Sequence, residues 1–233
     1  MSDVPPPPRL RLLAFDTSTE RLSIAAVGPD GVVHGHAGAG GAQASAQLLP
    51  AIRAVLAQAG LALHELDAIA FGRGPGSFTG LRTACAVAQG LAWGAGRLVL
   101  PIDTLLAVAE DARLRHGTTR VVAALDARMD EVYTARYAWD DAAWRTEGPF
   151  ALLAPEAVAA PAGYTLAGTA RAAYGDRLAP GAPGVPALPT ADAMLRLAPA
   201  LLAAGGAVRA QDALPLYLRD KVAETTAERL AKK

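Results

Sequence analysis

The chain has 233 residues, 52% of them apolar and 19% charged, a composition that supports a packed core and excludes a disordered chain. Lys+Arg and Asp+Glu both number 22, so the formal net charge is zero, which argues against a stand-alone nucleic-acid binder with its usual basic excess. The single cysteine, Cys85, excludes an intrachain disulfide framework and a thiolate zinc site, and no apolar run approaches the ~20 residues that span a bilayer. With no signal-peptide pattern at the start, a cytoplasmic protein is expected.

Residues 1–8, with four successive prolines, read as a disordered leader. Residues 10–16 read as a buried strand ending in a carboxylate, 17–20 as a turn, and 22–27 as a second strand. Pro29-Asp30-Gly31 is a turn signal before a third strand at 32–37. After a glycine-rich loop at 38–41, Ser45 is a candidate N-cap. Leu48, Ile52, Val55, Leu56 and Ala59 then follow at helical spacing up to Gly60, with Pro50 tolerable only near the helix start. Residues 66–71 form the next strand and 72–76 a tight loop. A helix capped by Ser77 or Thr79 runs to about Gly94, followed by a strand at 98–102 and a helix at 104–115. The order β-β-β-α-β-α-β-α matches one lobe of a ribonuclease-H-like sheet.

The second half opens in the same way, with strands at 120–126 and 132–139. Residues 146–190 are rich in Pro, Gly and Ala, with short apolar pieces such as 164–167. A helix at 191–204 is interrupted by Pro199, and 214–220 plus a charged tail close the chain. Both halves begin with an apolar strand ending in Asp, Asp16 and Asp126, which predicts two related lobes with a boundary near 102–118. The division drawn is an N-terminal lobe at 9–103 and a C-terminal lobe at 104–233, whose tail packs back on the first lobe.

Two segments suggest anion chemistry. In Phe15-Asp16-Thr17-Ser18-Thr19-Glu20, hydroxyls in a hairpin turn can cradle a phosphate while Asp16 orders a magnesium shell; an ordinary hairpin explains the same residues. Residues 72–82, Gly-Arg-Gly-Pro-Gly-Ser-Phe-Thr-Gly-Leu-Arg, stand between a strand and a helix, where glycines let backbone approach a phosphate. The segment lacks the Lys-Ser/Thr of a P-loop and the dinucleotide glycine spacing, although Asp103 stands where a ribose-binding acid would be. The helix after it carries two stripes of small residues, Gly80, Ala84, Ala88 and Ala92, and Ala86, Gly90 and Gly94. Such stripes let a second helix approach closely, with Leu81, Val87 and Leu91 supplying apolar area at ~25 cal/mol per Å². Packing on the protein's own sheet accounts for either stripe equally well.

Residues 13–27 and 72–82, Ala124-Leu125-Asp126-Ala127-Arg128-Met129-Asp130-Glu131-Val132-Tyr133, and Leu214-Pro215-Leu216-Tyr217-Leu218-Arg219-Asp220 together resemble the bacterial TsaB family, also called YeaZ, in the family's order and spacing. The resemblance implies an α/β, two-lobed, actin-like ATPase fold with mixed sheets flanked by helices. It implies a non-catalytic paralogue that pairs with the catalytic subunit TsaD, and with TsaE, for threonylcarbamoylation of the adenosine next to the anticodon in ANN-decoding tRNAs. A separate enzyme makes the threonylcarbamoyl-adenylate donor; tRNA is reached through the complex, and no cofactor and no membrane are involved. Pairing is expected through N-terminal-lobe helices, at Leu48, Leu49, Ile52, Gly80, Thr83, Ala84, Val87, Ala88 and Leu91, with a homodimer as substitute when TsaD is missing. On that assignment Ala88→Glu abolishes pairing and leaves the fold intact. Asp16, Ser18, Thr19, Gly74 and Gly76 are a vestigial cofactor-binding set.

The residues also argue against a catalyst. Relatives resembling TsaD carry a His-x-x-x-His metal pair after the strand ending near Ile102; Thr104 and Val108 stand there instead, and valine cannot bind a metal. The second-lobe turn Asp126-Ala127-Arg128-Met129 carries side chains where nucleotide-binding relatives use glycines, although Arg128 can hold an anion. Ala167-Gly168-Thr169-Ala170 is too short to count as an adenosine-binding turn. His34 and His36 share one face of an edge strand and read as surface histidines, His64 and His116 lie in loops, and Cys85 reads as a buried thiol. The alternatives are a nucleotide-dependent ATPase or kinase built on Asp16, Thr19 and residues 72–76, and a glycoprotease-like metalloenzyme.

Overall fold

Strand Leu12–Asp16 (β1) is buried at all five positions, as befits a strand covered on both faces. It pairs antiparallel with Arg21–Val27 (β2), which pairs antiparallel with Val33–Ala39 (β3). Helix Ala44–Gln58 (α1) leads to Ala68–Gly74 (β4), parallel to β1. Helix Phe78–Ala95 (α2) leads to Leu98–Asp103 (β5), parallel to β4, and helix Thr104–His116 (α3) follows. The first sheet has the order β3-β2-β1-β4-β5. The structure is a computed structural model and describes residues 10–219, so the predicted leader and charged tail lie outside the described residues.

The second half repeats this plan. Arg120–Asp126 (β6) pairs antiparallel with Val132–Trp139 (β7), which also pairs with Trp144–Thr146 (β8) and Ala151–Leu153 (β9). Thr165–Gly168 (β10) runs parallel to β6, helix Ala170–Tyr174 (α4) follows, Gly184–Val185 (β11) pairs parallel with β10, and helix Ala191–Ala203 (α5) comes last. The expected echo between the halves is present in atomic detail. Each central strand ends in an Asp whose Oδ1 accepts from the backbone N–H two residues on, Ser18 in one lobe and Arg128 in the other, both at 2.8 Å. The copy is abbreviated: α2 has 18 residues and α4 has five.

Helices α1 and α2 cover one face of the first sheet, where Leu48, Ile52, Ala84 and Ala88 pack on Leu13, Phe15, Ile69 and Phe71. The other face is covered by α5, through Met194, Leu197 and Ala198 against Leu12, Ala14, Ala70 and Leu100. Helix α3 lies against the second sheet, with Leu105, Val108 and Ala112 on Val121, Ala123 and Tyr137. The lobes therefore exchange helices: α3 follows the first sheet and packs on the second, α5 follows the second and packs on the first, and the two pack on each other. A cut at 103/104 separates the sheets and leaves α5 on the first of them. Two buried carboxylates on α3 reinforce the junction. Glu110 receives Arg113 and the Trp144 indole N–H; Asp111 receives the Leu188 N–H and the Thr190 hydroxyl.

Local details differ from expectation where solvent offers an alternative. Helix α1 starts before Ser45, at Ala44, and the boundary residue Gln43 supplies no side-chain cap. Strand β4 continues through the expected loop to Gly74, and residues 146–190 hold short strands, the short helix α4 and two 3-10 turns. Pro50 and Pro199 both sit inside helices, each at an exposed position. Ser77 caps α2 as expected, accepting from the Gly80 N–H at 3.4 Å.

Candidate functional site

The lobes meet across a cleft of about 560 Å³. One wall is the β1–β2 turn with Gly76, Ser77, Phe78 and Leu81, the opposite wall is the turn from Asp126 to Met129 with Thr169, Ala172 and Ala173, and Leu216–Arg219 closes a side. Asp16, at the end of β1, is fully buried. Its Oδ1 accepts from the Ser18 N–H (2.8 Å) and hydroxyl (2.7 Å), and Thr104 approaches Oδ2 at 3.5 Å. Burial raises its pKa to about 6 against the lowering effect of Ser18. The carboxylate thus holds the first-lobe turn together, contrary to the expected outward-facing magnesium shell. Ser18 is consumed by that bond, while the Thr19 hydroxyl accepts from the Arg21 N–H at 3.2 Å.

The glycines of 72–76 admit other parts of this chain, the Asp16 carboxylate at Gly72 and backbone carbonyls at Gly74 and Gly76. A Cβ on Gly72 would stand 1.8 Å from Asp16 Oδ2, on Gly74 (φ +118°) 2.6 Å from the Leu216 carbonyl, and on Gly76 2.6 Å from the Ser18 carbonyl. On the side where a Cβ would stand, Gly74 and Gly76 therefore face this chain's own carbonyls, while Gly76 also borders the cleft. Across the cleft, Arg128 is paired with Glu20 at 2.9 Å and with Asp126 at 3.0 Å, so the cation expected to hold an anion already has two carboxylates. Arg128, Met129 and Asp130 are left-handed at φ +60°, +55° and +61°, a costly run for residues with side chains. The Thr104 hydroxyl accepts from the Gly74 N–H at 3.1 Å and Val108 is core. Among the described residues no group of three or more His, Cys, Asp or Glu is placed to hold a metal. His34 and His36 lie on the edge strand β3, half-buried and exposed respectively.

The helix face requires a correction. Leu48, Ile52, Gly80, Ala84 and Ala88 point into the first-lobe core and meet nothing outside it. Gly80 is the extreme case: a Cβ there would stand 1.9 Å from the Thr17 carbonyl. Ala88→Glu therefore buries a charge in the core and does not test a surface. The other members lie outward. Leu49 is 45% exposed, and Thr83, Val87 and Leu91 are half-buried at the rim. On α2 the second stripe, Ala86, Gly90 and Gly94, is exposed; a Cβ on either glycine would meet nothing within 4 Å among the described residues. Trp93, 73% exposed, stands beside it and was missed by the sequence reading. Its signal was a large aromatic in a run of small residues, three positions after Gly90.

The last described stretch straps the lobes together. Val208 pairs with Val99 at the edge of the first sheet. Ala213 O accepts from Gln89 Nε2 at 2.9 Å and from the Cys85 thiol at 3.4 Å, and the Leu216 N–H donates to Arg73 O at 2.7 Å. The Tyr217 hydroxyl accepts from Arg82 Nε at 3.1 Å, and its ring lies 5.5 Å from that of Phe78. Arg219 then reaches the second lobe and donates to the carbonyls of Ala127 and Arg128 and to the Glu131 carboxylate.

A family model described as TsaD, tRNA N6-adenosine threonylcarbamoyltransferase, matches residues 36–180. The chain is 38% identical to the tRNA threonylcarbamoyladenosine biosynthesis protein TsaB of Escherichia coli K12, over 92% of this chain and 96% of that one. It is 49% identical to the TsaB protein of Haemophilus influenzae over 53% of this chain and 52% of that one. Among solved structures, YeaZ from Pseudomonas aeruginosa is 43% identical, superposes with a TM-score of 0.84, and covers 90% of this chain and 100% of its own.

Proposed function

Since the chain belongs to the TsaB (YeaZ) family of tRNA threonylcarbamoyladenosine biosynthesis proteins, we propose that it acts in the cytoplasm as a non-catalytic subunit pairing with TsaD through the outer face of α1 and α2. TsaE completes the assembly, which modifies the adenosine next to the anticodon in ANN-decoding tRNAs, and tRNA is reached through the complex. One observation carries the reading: α2 offers an open track at Gly90 and Gly94, next to Leu91 and the exposed Trp93, which no neighbour among the described residues fills, and Leu49 on α1 is likewise exposed. Apolar area left in water is the usual driving force of association, and a small-residue track sets how closely a helix can approach. The cleft supports the non-catalytic half of the proposal, because Gly74 and Gly76 receive this chain's own carbonyls and Asp16 is bonded to its own turn. A paralogue of the same fold presents a related face, so a homodimer through α1 and α2 is the expected substitute when TsaD is missing.

The test is copurification of TsaD with Trp93→Glu and Gly90→Leu variants, together with tRNA modification with and without this chain. Both variants leave the isolated fold intact and lower TsaD recovery at least tenfold. Undiminished pairing in both sinks the assigned surface. Calorimetry of the isolated chain with magnesium-ATP addresses the enzyme alternative, since micromolar binding with turnover would replace the non-catalytic reading.

A further inference from the structure

We propose that residues 213–219 are a latch that sets the width of the interlobe cleft, fastened at the second lobe by Arg219 and released as one piece. The strap has little regular bonding of its own. Within 214–219, the backbone-to-backbone hydrogen bond found among the described residues is Leu216 to Arg73; the other hydrogen bonds run through the side chains of Tyr217 and Arg219. A segment so bonded opens at far lower free energy than the sheets beneath it. Its two ends lie on different lobes: Ala213 on the α2 flank at Cys85 and Gln89, Arg219 on the turn from Ala127 to Glu131.

Arg219 is the fastener for two reasons. Its side chain is only 17% exposed, and one terminal nitrogen gathers two carbonyls and a carboxylate, a charge-assisted contact partly shielded from solvent. The other tie across the cleft, Glu20 with Arg128, joins side chains 76% and 68% exposed and holds little. Of the carbonyls that Arg219 grips, one belongs to Arg128 in the left-handed run Arg128–Asp130 and the other to Ala127 just before it, so the same contact restrains backbone that would otherwise relax. Gly74 completes the seat, since any side chain there would meet the Leu216 carbonyl. Release of Arg219 therefore frees the turn, widens the cleft and bares the Cys85 flank of α2.

Cys85, the chain's only cysteine, reports on the opening because it is 5% exposed and its thiol bonds the strap. The experiment uses the full chain alone and so stands apart from the TsaD reading. Thiol-labelling rates and amide hydrogen exchange are compared for wild type, Arg219→Ala and Glu131→Gln. Arg219→Ala labels about tenfold faster or more, as loss of a charge-assisted bond requires. Exchange rises at residues 17–20 and 126–131, while β1, β4 and the first turns of α1 keep wild-type protection. Glu131→Gln, which keeps the carbonyl contacts, gives a smaller change in the same direction and serves if Arg219→Ala does not fold. Unchanged labelling and turn exchange overturn the proposal. So does faster exchange spread evenly over both lobes, the mark of a merely stabilising arginine.

Discussion

Gly90→Ala is the sharpest test of which side of α2 faces out. Gly90 lies well inside an 18-residue helix, and a methyl group there would meet nothing within 4 Å. The substitution adds no clash and removes no contact, so helix propensity alone decides the sign. Glycine in a helix interior is ~0.8–1.0 kcal/mol less favourable than alanine. For a chain of this size that gain corresponds to a rise of about 2–4 °C in Tm. Ala88, two residues earlier, is fully buried, and Ala88→Glu places an unpaired carboxylate in packed core. Overpacking costs ~1–3 kcal/mol and charge burial several more, against a total stability of ~5–15 kcal/mol. Thermal unfolding of the isolated chain by far-UV circular dichroism reads both variants. A fall in Tm for Gly90→Ala, or a stable Ala88→Glu protein, would refute the inward and outward assignment of the two stripes.

Asp16 contributes to stability in mild acid and loses that contribution toward neutrality, opposite in sign to Asp130, Asp140 and Glu156, whose pKa values are lowered. The folded pKa of Asp16 is raised from 3.8 to about 6, so the folded state binds the proton more tightly than the unfolded one. The stability it contributes is complete below about pH 4 and is lost as pH rises through about 6, on the order of 3 kcal/mol at most. In urea titrations Asp16→Asn loses that slope and is no less stable at pH 7. Glu110→Ala strands Arg113 and the Trp144 indole, and a loss of ~3–5 kcal/mol is expected from urea unfolding. Gly72→Ala and Gly80→Ala each drive a methyl into contacts below 2 Å, and soluble expression is expected to fail for both.

The sequence showed the alternation of strands and helices well because the central strands are continuous apolar runs ended by Asp16 and Asp126. It showed the duplication through those same two carboxylates. It could not choose between the stripes of α2. Gly80, Ala84 and Ala88 are as small as Ala86, Gly90 and Gly94, and only the position of Thr17 against Gly80 decides which set turns inward. The glycine-rich loop misled for a related reason. Glycine marks close approach of something, and the sequence does not say whether that is a phosphate or the carbonyls of Ser18 and Leu216. The exchange of α3 and α5 left no local signal, because a helix with apolar faces packs equally well on either sheet. Arg219 was legible only as part of a motif, since its acceptors lie about 90 residues earlier in the chain.

The crossing of α3 and α5 has a consequence for how the protein is made. When the ribosome has delivered β1 through β5, one side of that sheet still lacks its cover, and Leu12, Ala14, Ala70 and Leu100 stay wet until residues 191–203 emerge. The first lobe therefore cannot cover both faces of its sheet before the second has been synthesised, and each half expressed by itself keeps one packed face and leaves the other wet. Supplied together as two fragments cut between α3 and β6, the halves have reason to find each other, each carrying the helix the other is missing.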